Sequence, residues 1–147
     1  MAERIEALRE EHLDECAHLY VSTFNAEPWN QRWTLETAHK KLAWTLGVPG
    51  FLGWVLSLGD GIVAFAAGYR QQEDEGEVFY LAILCVGPKA QGTGMGSRLS
   101  GHLEGELGKQ GGKKVYLITR RDTPAQAFYG KHAYKVSDED IVMTHEW

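Results

Sequence analysis

The spacing of apolar positions changes along the chain, and the changes mark out alternating helices and strands. Ile5 to Leu8 reads as a short first strand. From Glu11 to Thr23, Leu13, Ala17, Tyr20 and Val21 recur at the three- and four-residue spacing of a helix that buries one face. Phe24 to Gln31 contains Pro28 and both Asn25 and Asn30, and reads as a loop. Leu35, Ala38, Leu42 and Leu46 restore the helical period over Thr34 to Leu46. Thr34 and Thr37 offer polar groups near its start, and Gly47 and Pro49 close it.

The pattern then becomes extended. Phe51 to Leu58 and Ile62 to Tyr69 flank Gly59-Asp60-Gly61, which predicts an antiparallel hairpin on a tight turn. Gln71 to Gly76 reads as a polar loop. Val78 to Val86 is an unbroken apolar run, as expected of a central strand covered on both faces. Over Gly92 to Leu107, Met95, Leu99, Leu103 and Leu107 mark one face of a helix. Ser97, Gly101 and Gly105 form a second row. Glycine inside a helix costs about 1 kcal/mol relative to alanine, so a close approach of this row to a sheet is the expected compensation. Gly111-Gly112 breaks the chain; Val115 to Thr119 predicts a buried strand, Pro124 to Lys131 a short helix and Ile141 to Thr144 a closing strand. Alternating helices and strands place the chain in the α/β (α+β) class.

Composition narrows the function. The 147 residues are 44% hydrophobic and 24% charged, as in an ordinary globular protein, and one domain over 1–147 is expected because two halves would each be marginal. No run has the roughly 18 apolar residues of a membrane span, and Met1-Ala2-Glu3-Arg4 lacks the pattern of a secretion signal. A cytoplasmic location without a membrane partner is therefore expected, and Cys16 and Cys85 are expected as free thiols. A net charge of −5, with Lys113-Lys114 and Arg120-Arg121 as the close basic pairs of the C-terminal half, argues against a nucleic-acid partner. Acidic residues cluster at Glu73-Asp74-Glu75-x-Glu77 and Asp138-Glu139-Asp140, a field that would attract a cationic ligand.

The chemistry concentrates in Val86-Gly87-Pro88-Lys89-Ala90-Gln91-Gly92-Thr93-Gly94-Met95-Gly96-Ser97. An apolar strand runs into a glycine-rich turn that opens a helix. The first turn of a helix has free N–H groups and the positive end of the dipole, and glycines let an anion come close, so the segment is a phosphate cradle. It lacks the Gly-Lys-Ser/Thr ending of a nucleotide loop, and Ser97 stands where a dinucleotide site needs its third glycine. The histidines show no metal-ligand spacing, so no metal is expected. Cys85 reads as a buried small hydrophobe.

The spacing Gln91-x-x-Gly94-x-Gly96, preceded by Val86-Gly87-Pro88, resembles the acetyl-CoA-binding signature of the GNAT superfamily of N-acetyltransferases. Asp122-Thr123-Pro124-Ala125-Gln126-Ala127-Phe128-Tyr129-Gly130-Lys131-His132-Ala133-Tyr134 is similar to the family's second signature. Three departures stand out. Asp122 replaces an asparagine, where it can cap the helix but cannot donate; Ala133-Tyr134 replaces Gly-Phe; and Ile83 replaces the glutamate that many relatives use as a base.

The resemblance implies a mixed, mainly antiparallel central sheet flanked by helices, with a V-shaped splay between the signature strand and the next. It implies transfer of an acetyl group from acetyl-CoA to a primary amine of a small, cationic acceptor by direct attack. For the coenzyme it implies the edge of Leu84, Cys85 and Val86 for the pantetheine arm. Gln91, Gly92, Thr93, Gly94, Met95, Gly96 and Ser97 would serve the diphosphate, with Asp122, Ala125, Phe128 and Tyr129 from the second signature. The Val86 N–H would polarise the thioester oxygen and Tyr129 would protonate the departing thiolate. Glu27, Glu77, His39 and a water chain are the candidate bases, and Phe24, Glu27, Trp29 and Trp33 the candidate acceptor wall. Relatives often form homodimers. The alternatives are a CoA-binding sensor or regulatory domain that has lost catalysis, and a transferase acting on protein N-termini or lysines.

Overall fold

In this computed structural model, which describes residues 2–147, the extended segments form one five-stranded sheet. Its strands are β1 (Glu3–Ala7), β2 (Phe51–Leu58), β3 (Gly61–Glu73), β4 (Gly76–Val86) and β5 (Lys114–Tyr116), side by side in that order. The first four run antiparallel, and β5 is parallel to β4. The helices are α1 (Leu13–Phe24), led by a 3-10 turn at Glu10–His12, α2 (Leu35–Leu46), α3 (Met95–Lys109) and α4 (Pro124–Lys131). This is the mainly antiparallel sheet flanked by helices that the family resemblance implied.

Two apolar layers hold the sheet. On one face Leu13, Cys16 and Ala17 of α1 and Ala38 and Leu42 of α2 bury Val55, Phe65, Ala67, Ile83 and Cys85. On the other, Leu99, Leu103 and Leu107 of α3 bury Trp54, Leu56, Ala64, Phe79 and Leu81. The start of α2 is closed by a reciprocal pair: the Thr37 N–H donates to Thr34 Oγ1 and the Thr34 N–H to Thr37 Oγ1, each at 3.0 Å. That satisfies two donors the helix cannot.

An irregularity in β4 shapes the site. Ala67 faces Ile83 in the register but Gly68 faces Leu81, so Ala82 is an extra residue, a β-bulge. Phe79 and Leu81 therefore point to the α3 layer, while Ile83 and Cys85 point to the α1–α2 layer. Gly68 permits this, because a Cβ there would overlap the Tyr80 carbonyl and lie 2.7 Å from the Phe79 ring.

Several sequence expectations change. Gln71 to Glu73 extend β3 instead of forming a loop, since backbone pairing to Val78, Glu77 and Gly76 holds polar residues in the sheet. Gly101 and Gly105 face open space, so no sheet approaches their row; the close approach is at Gly96. The strand expected over Val115 to Thr119 is β5, three residues long, and Ile118 is exposed. Ile141 to Thr144 forms no strand, and Ile141, Val142 and Met143 are exposed. The cap of α4 is Thr123, whose hydroxyl accepts the Gln126 N–H at 3.3 Å; Asp122 sits at φ 60 and does not cap. No helix among the described residues is long and apolar enough to cross a membrane.

Candidate active site

The site is built where β4 ends. β5 pairs with β4 only from Val78 to Tyr80, and beyond that no described strand lies along this edge up to Val86. The Gly87 N–H donates to the Val63 carbonyl of the neighbouring β3 at 2.9 Å. Since successive residues of a strand turn their N–H groups to opposite edges, those of Val86 and Leu84 face the open side. Cys85 turns inward as a fully buried thiol.

The turn after β4 is pinned by its own side chains. Gln91 Nε2 donates to the Val86 carbonyl at 2.8 Å, and the Thr93 hydroxyl donates to the Ala90 carbonyl. Gly92 and Gly94 take φ values of 75 and 85, and a Cβ on either would meet nothing within 4 Å. The first internal bond of α3 is from the Arg98 N–H to the Gly94 carbonyl at 3.1 Å, which leaves the N–H groups of Met95, Gly96 and Ser97 ahead of it. Open space in front of free N–H groups at the positive helix end fits a diphosphate.

α4 is locked to this loop. A Cβ on Gly96 would lie 3.2 Å from Val86 Cγ2 and 3.5 Å from the Phe128 ring, so glycine lets the two helices and the strand end meet. His132 Nδ1 lies 2.8 Å from the Phe128 carbonyl and its Nε2 lies 3.0 Å from Ser97 Oγ. The carbonyl requires an N–H from Nδ1, and in the neutral ring Nε2 then accepts the Ser97 hydroxyl. Tyr129 is half-buried and packs, as do Leu84, Val86 and Met95, against the α3 layer, and burial pushes its phenol up to about 12. It holds its proton at neutral pH. Ala125 is half-buried on the same helix, and the Asp122 N–H donates to Gln126 Oε1 at 2.6 Å.

The remaining site residues scatter. Ile83 is buried against α1 and α2, so a carboxylate in its place would meet the core. Glu77 lines a small cavity of about 150 Å³ with Leu107 and Gly112 at the far end of α3. It is about 30 Å along β4 from Val86, at roughly 3.3 Å per residue. Glu27 and His39 are exposed. Phe24 packs on Tyr20 and edges Trp29, with ring centres 4.6 and 5.7 Å apart. Trp33 also meets Tyr20, at 4.9 Å, so this aromatic group caps the core.

Trp33 also reaches a cleft of about 470 Å³ between α2 and the β3–β4 hairpin. Sequence reasoning did not single out its other walls: Lys40, Lys41 and Trp44 of α2, and Tyr69, Tyr80 and Ala82 of the sheet. The signal was a polar and aromatic stripe through Thr37, Lys40, Lys41 and Trp44, opposite the buried Ala38 and Leu42. Tyr69, Tyr80 and Tyr116 form a ring ladder across three strands, with centres 5.5 and 5.0 Å apart, where the strands begin to part. Burial, then the neighbouring phenols, raises the Tyr80 pKa.

A sequence model of the acetyltransferase (GNAT) family matches residues 7–134. No curated protein matches the chain. Among solved structures, an integron cassette protein from the mobile metagenome of V. cholerae is 16% identical, with a TM-score of 0.83 over 100% of this chain and 94% of that one. A ribosomal-protein-alanine N-acetyltransferase from Brucella melitensis biovar Abortus 2308 is 15% identical, with a TM-score of 0.77 over 99% and 100%. An aminoglycoside N-acetyltransferase in complex with CoA is 12% identical, with a TM-score of 0.75 over 99% and 95%. At these identities the likeness is one of fold.

Proposed function

The chain belongs to the acetyltransferase (GNAT) family, and from that premise we propose that it transfers an acetyl group from acetyl-CoA to a primary amine of a small acceptor. The observation that carries this reading is the junction at Val86. An open strand edge, the free N–H groups at the start of α3 and a half-buried tyrosine come together around it.

When bound, acetyl-CoA supplies an activated acyl group as a thioester. The N–H groups of Gly92 and of Gly94 to Ser97 would hold its diphosphate, while that of Thr93 is kept by the Ala90 carbonyl, and the edge of Leu84 to Val86 would pair with the arm as a strand does. The Val86 N–H, on the open side, would donate to an oxygen that gains charge. Tyr129 keeps its proton through neutral pH and can give it to a departing thiolate. In balance, a neutral amine forms a C–N bond as the C–S bond breaks, and one amine proton replaces the acetyl group on sulfur. Glu77 lies at the far end of β4 from the junction, which leaves Glu27, His39 and a water chain as the candidate acceptors of that proton.

The test is thiol release from acetyl-CoA with a panel of primary amines. Release that depends on the amine, with an acetylated product by mass, supports the transfer. CoA binding without release for any amine would make the protein a CoA sensor instead.

A further inference from the structure

We propose that the cleft beside α2 selects an acceptor amine that carries an aromatic ring and an anionic group, in contrast to the cationic acceptor that the acidic clusters of the sequence implied. The inference rests on the transferase reading above. The cleft meets the open edge of β4 at its lower end, because Tyr80 is the last residue paired to β5 and Tyr80 and Ala82 both line the cleft. An acceptor held there would extend its amine along the edge, about 7 Å from Ala82 to Leu84 at roughly 3.3 Å per residue, toward the stretch on which the arm would lie.

Its walls are Trp33, Trp44, Tyr69 and Tyr80, with Lys40 and Lys41 between them. Lys40 Nζ lies 4.9 Å from the centre of the Trp44 ring and Lys41 Nζ lies 5.8 Å from that of Trp33. Neither lysine has a carboxylate within ion-pair distance among the described residues, and no aspartate or glutamate lines the cleft. Trp44 is 69% exposed, a large indole surface left to water on the rim. The acidic clusters lie elsewhere: Asp74 and Glu75 turn β3 into β4, and Asp138 to Asp140 follow α4.

Two unpaired ammonium groups in a concave aromatic site focus a positive field despite the negative charge of the chain. They attract a carboxylate, sulfonate or phosphate and repel an oligocation. The same field favours the neutral form of a bound amine, since a like charge nearby disfavours protonation. It thereby eases the deprotonation that attack requires, in a cleft that no carboxylate lines. Flat rings on the walls match a flat ring on the acceptor.

A matched series that differs only in the charge opposite the amine tests this. 4-(Aminomethyl)benzoate, benzylamine and 4-(aminomethyl)benzamidine are compared by thiol release, with 6-aminohexanoate as the anion lacking a ring. The expected kcat/KM is highest for the benzoate, about 10-fold or more above the benzamidine and above 6-aminohexanoate. Lys40→Gln with Lys41→Gln should shrink the benzoate-to-benzamidine ratio to within about 2-fold while CoA affinity by calorimetry is kept. Equal rates across the series, or a preference for the benzamidine, would overturn the inference and leave the transferase reading standing. Release with no amine at all would remove both.

Discussion

Gln91 Nε2 donates to the Val86 carbonyl at 2.8 Å, so the residue that opens the glycine-rich turn is tied to the last residue of the strand before it. The carbonyl concerned faces the open edge, and the bond holds the turn against the end of β4. Gln91→Ala should weaken CoA binding by about 5- to 10-fold, the worth of one hydrogen bond, with little change in the thermal midpoint. Calorimetric titration of the variant measures this; undiminished affinity would mean that the loop keeps its shape without the tie.

Gly94 caps α3 at φ 85, a conformation that costs an L-residue roughly 1–2 kcal/mol. Gly94→Arg should therefore lower stability by about that amount. It should also abolish measurable CoA binding, because the side chain would occupy the open space ahead of the free N–H groups. Circular dichroism and calorimetry on the same sample separate the two effects. A folded variant with unchanged affinity would show that the diphosphate lies elsewhere.

Tyr129→Phe keeps the ring in the apolar layer and removes the phenol. Turnover should fall by about 10²- to 10⁴-fold, with CoA affinity preserved. With its phenol at about 12, Tyr129 should produce no alkaline decline of the rate below about pH 11. Stopped-flow thiol release across pH 6–10 checks both points, and an unaltered rate in the variant would return the residue to packing.

Stability should fall in alkali. Burial first, then neighbouring Cys85 and Glu15, pushes Cys16 from 9.0 up to about 12, and burial pushes Cys85 from 9.0 up to about 12 as well. The unfolded thiols lose protons from about pH 9, while the folded ones hold theirs to about 12. The unfolded state therefore binds fewer protons in that window, and stability drops as pH rises through it. The thiols should leave urea midpoints unchanged between pH 7 and 8 and lower them by pH 10.5, and both should resist a disulfide reagent until the chain unfolds. Equal midpoints at pH 7 and 10.5 would contradict this.

Much of this architecture can be read from spacing alone. Phe51–Leu58 and Pro124–Lys131 begin and end where the pattern places them, because turn glycines and a proline at the first helical position mark their limits. The glycine turn before α3 is legible for the same reason: Gly92 and Gly94 take positive φ, a backbone task that no packing partner alters. The bulge at Ala82 is not, since an unbroken apolar run carries no alternation from which a change of face could be seen. His132 was missed because its bond to Ser97 joins elements distant in the chain. The lysines of the cleft were missed because a polar helix stripe looks solvated until Tyr69 and Tyr80 stand opposite it. Gly101 and Gly105 misled in the other direction, as helical glycines with nothing near them.

The grip of the α3 N-terminus on a diphosphate is tested most directly by titrating the protein with CoA and with pantetheine, which has the same arm and no diphosphate. CoA should bind at least about 100-fold more tightly, since two or more charge-assisted hydrogen bonds of roughly 1.5 kcal/mol each are at stake. Equal affinity for the two, or no heat with CoA, would contradict it.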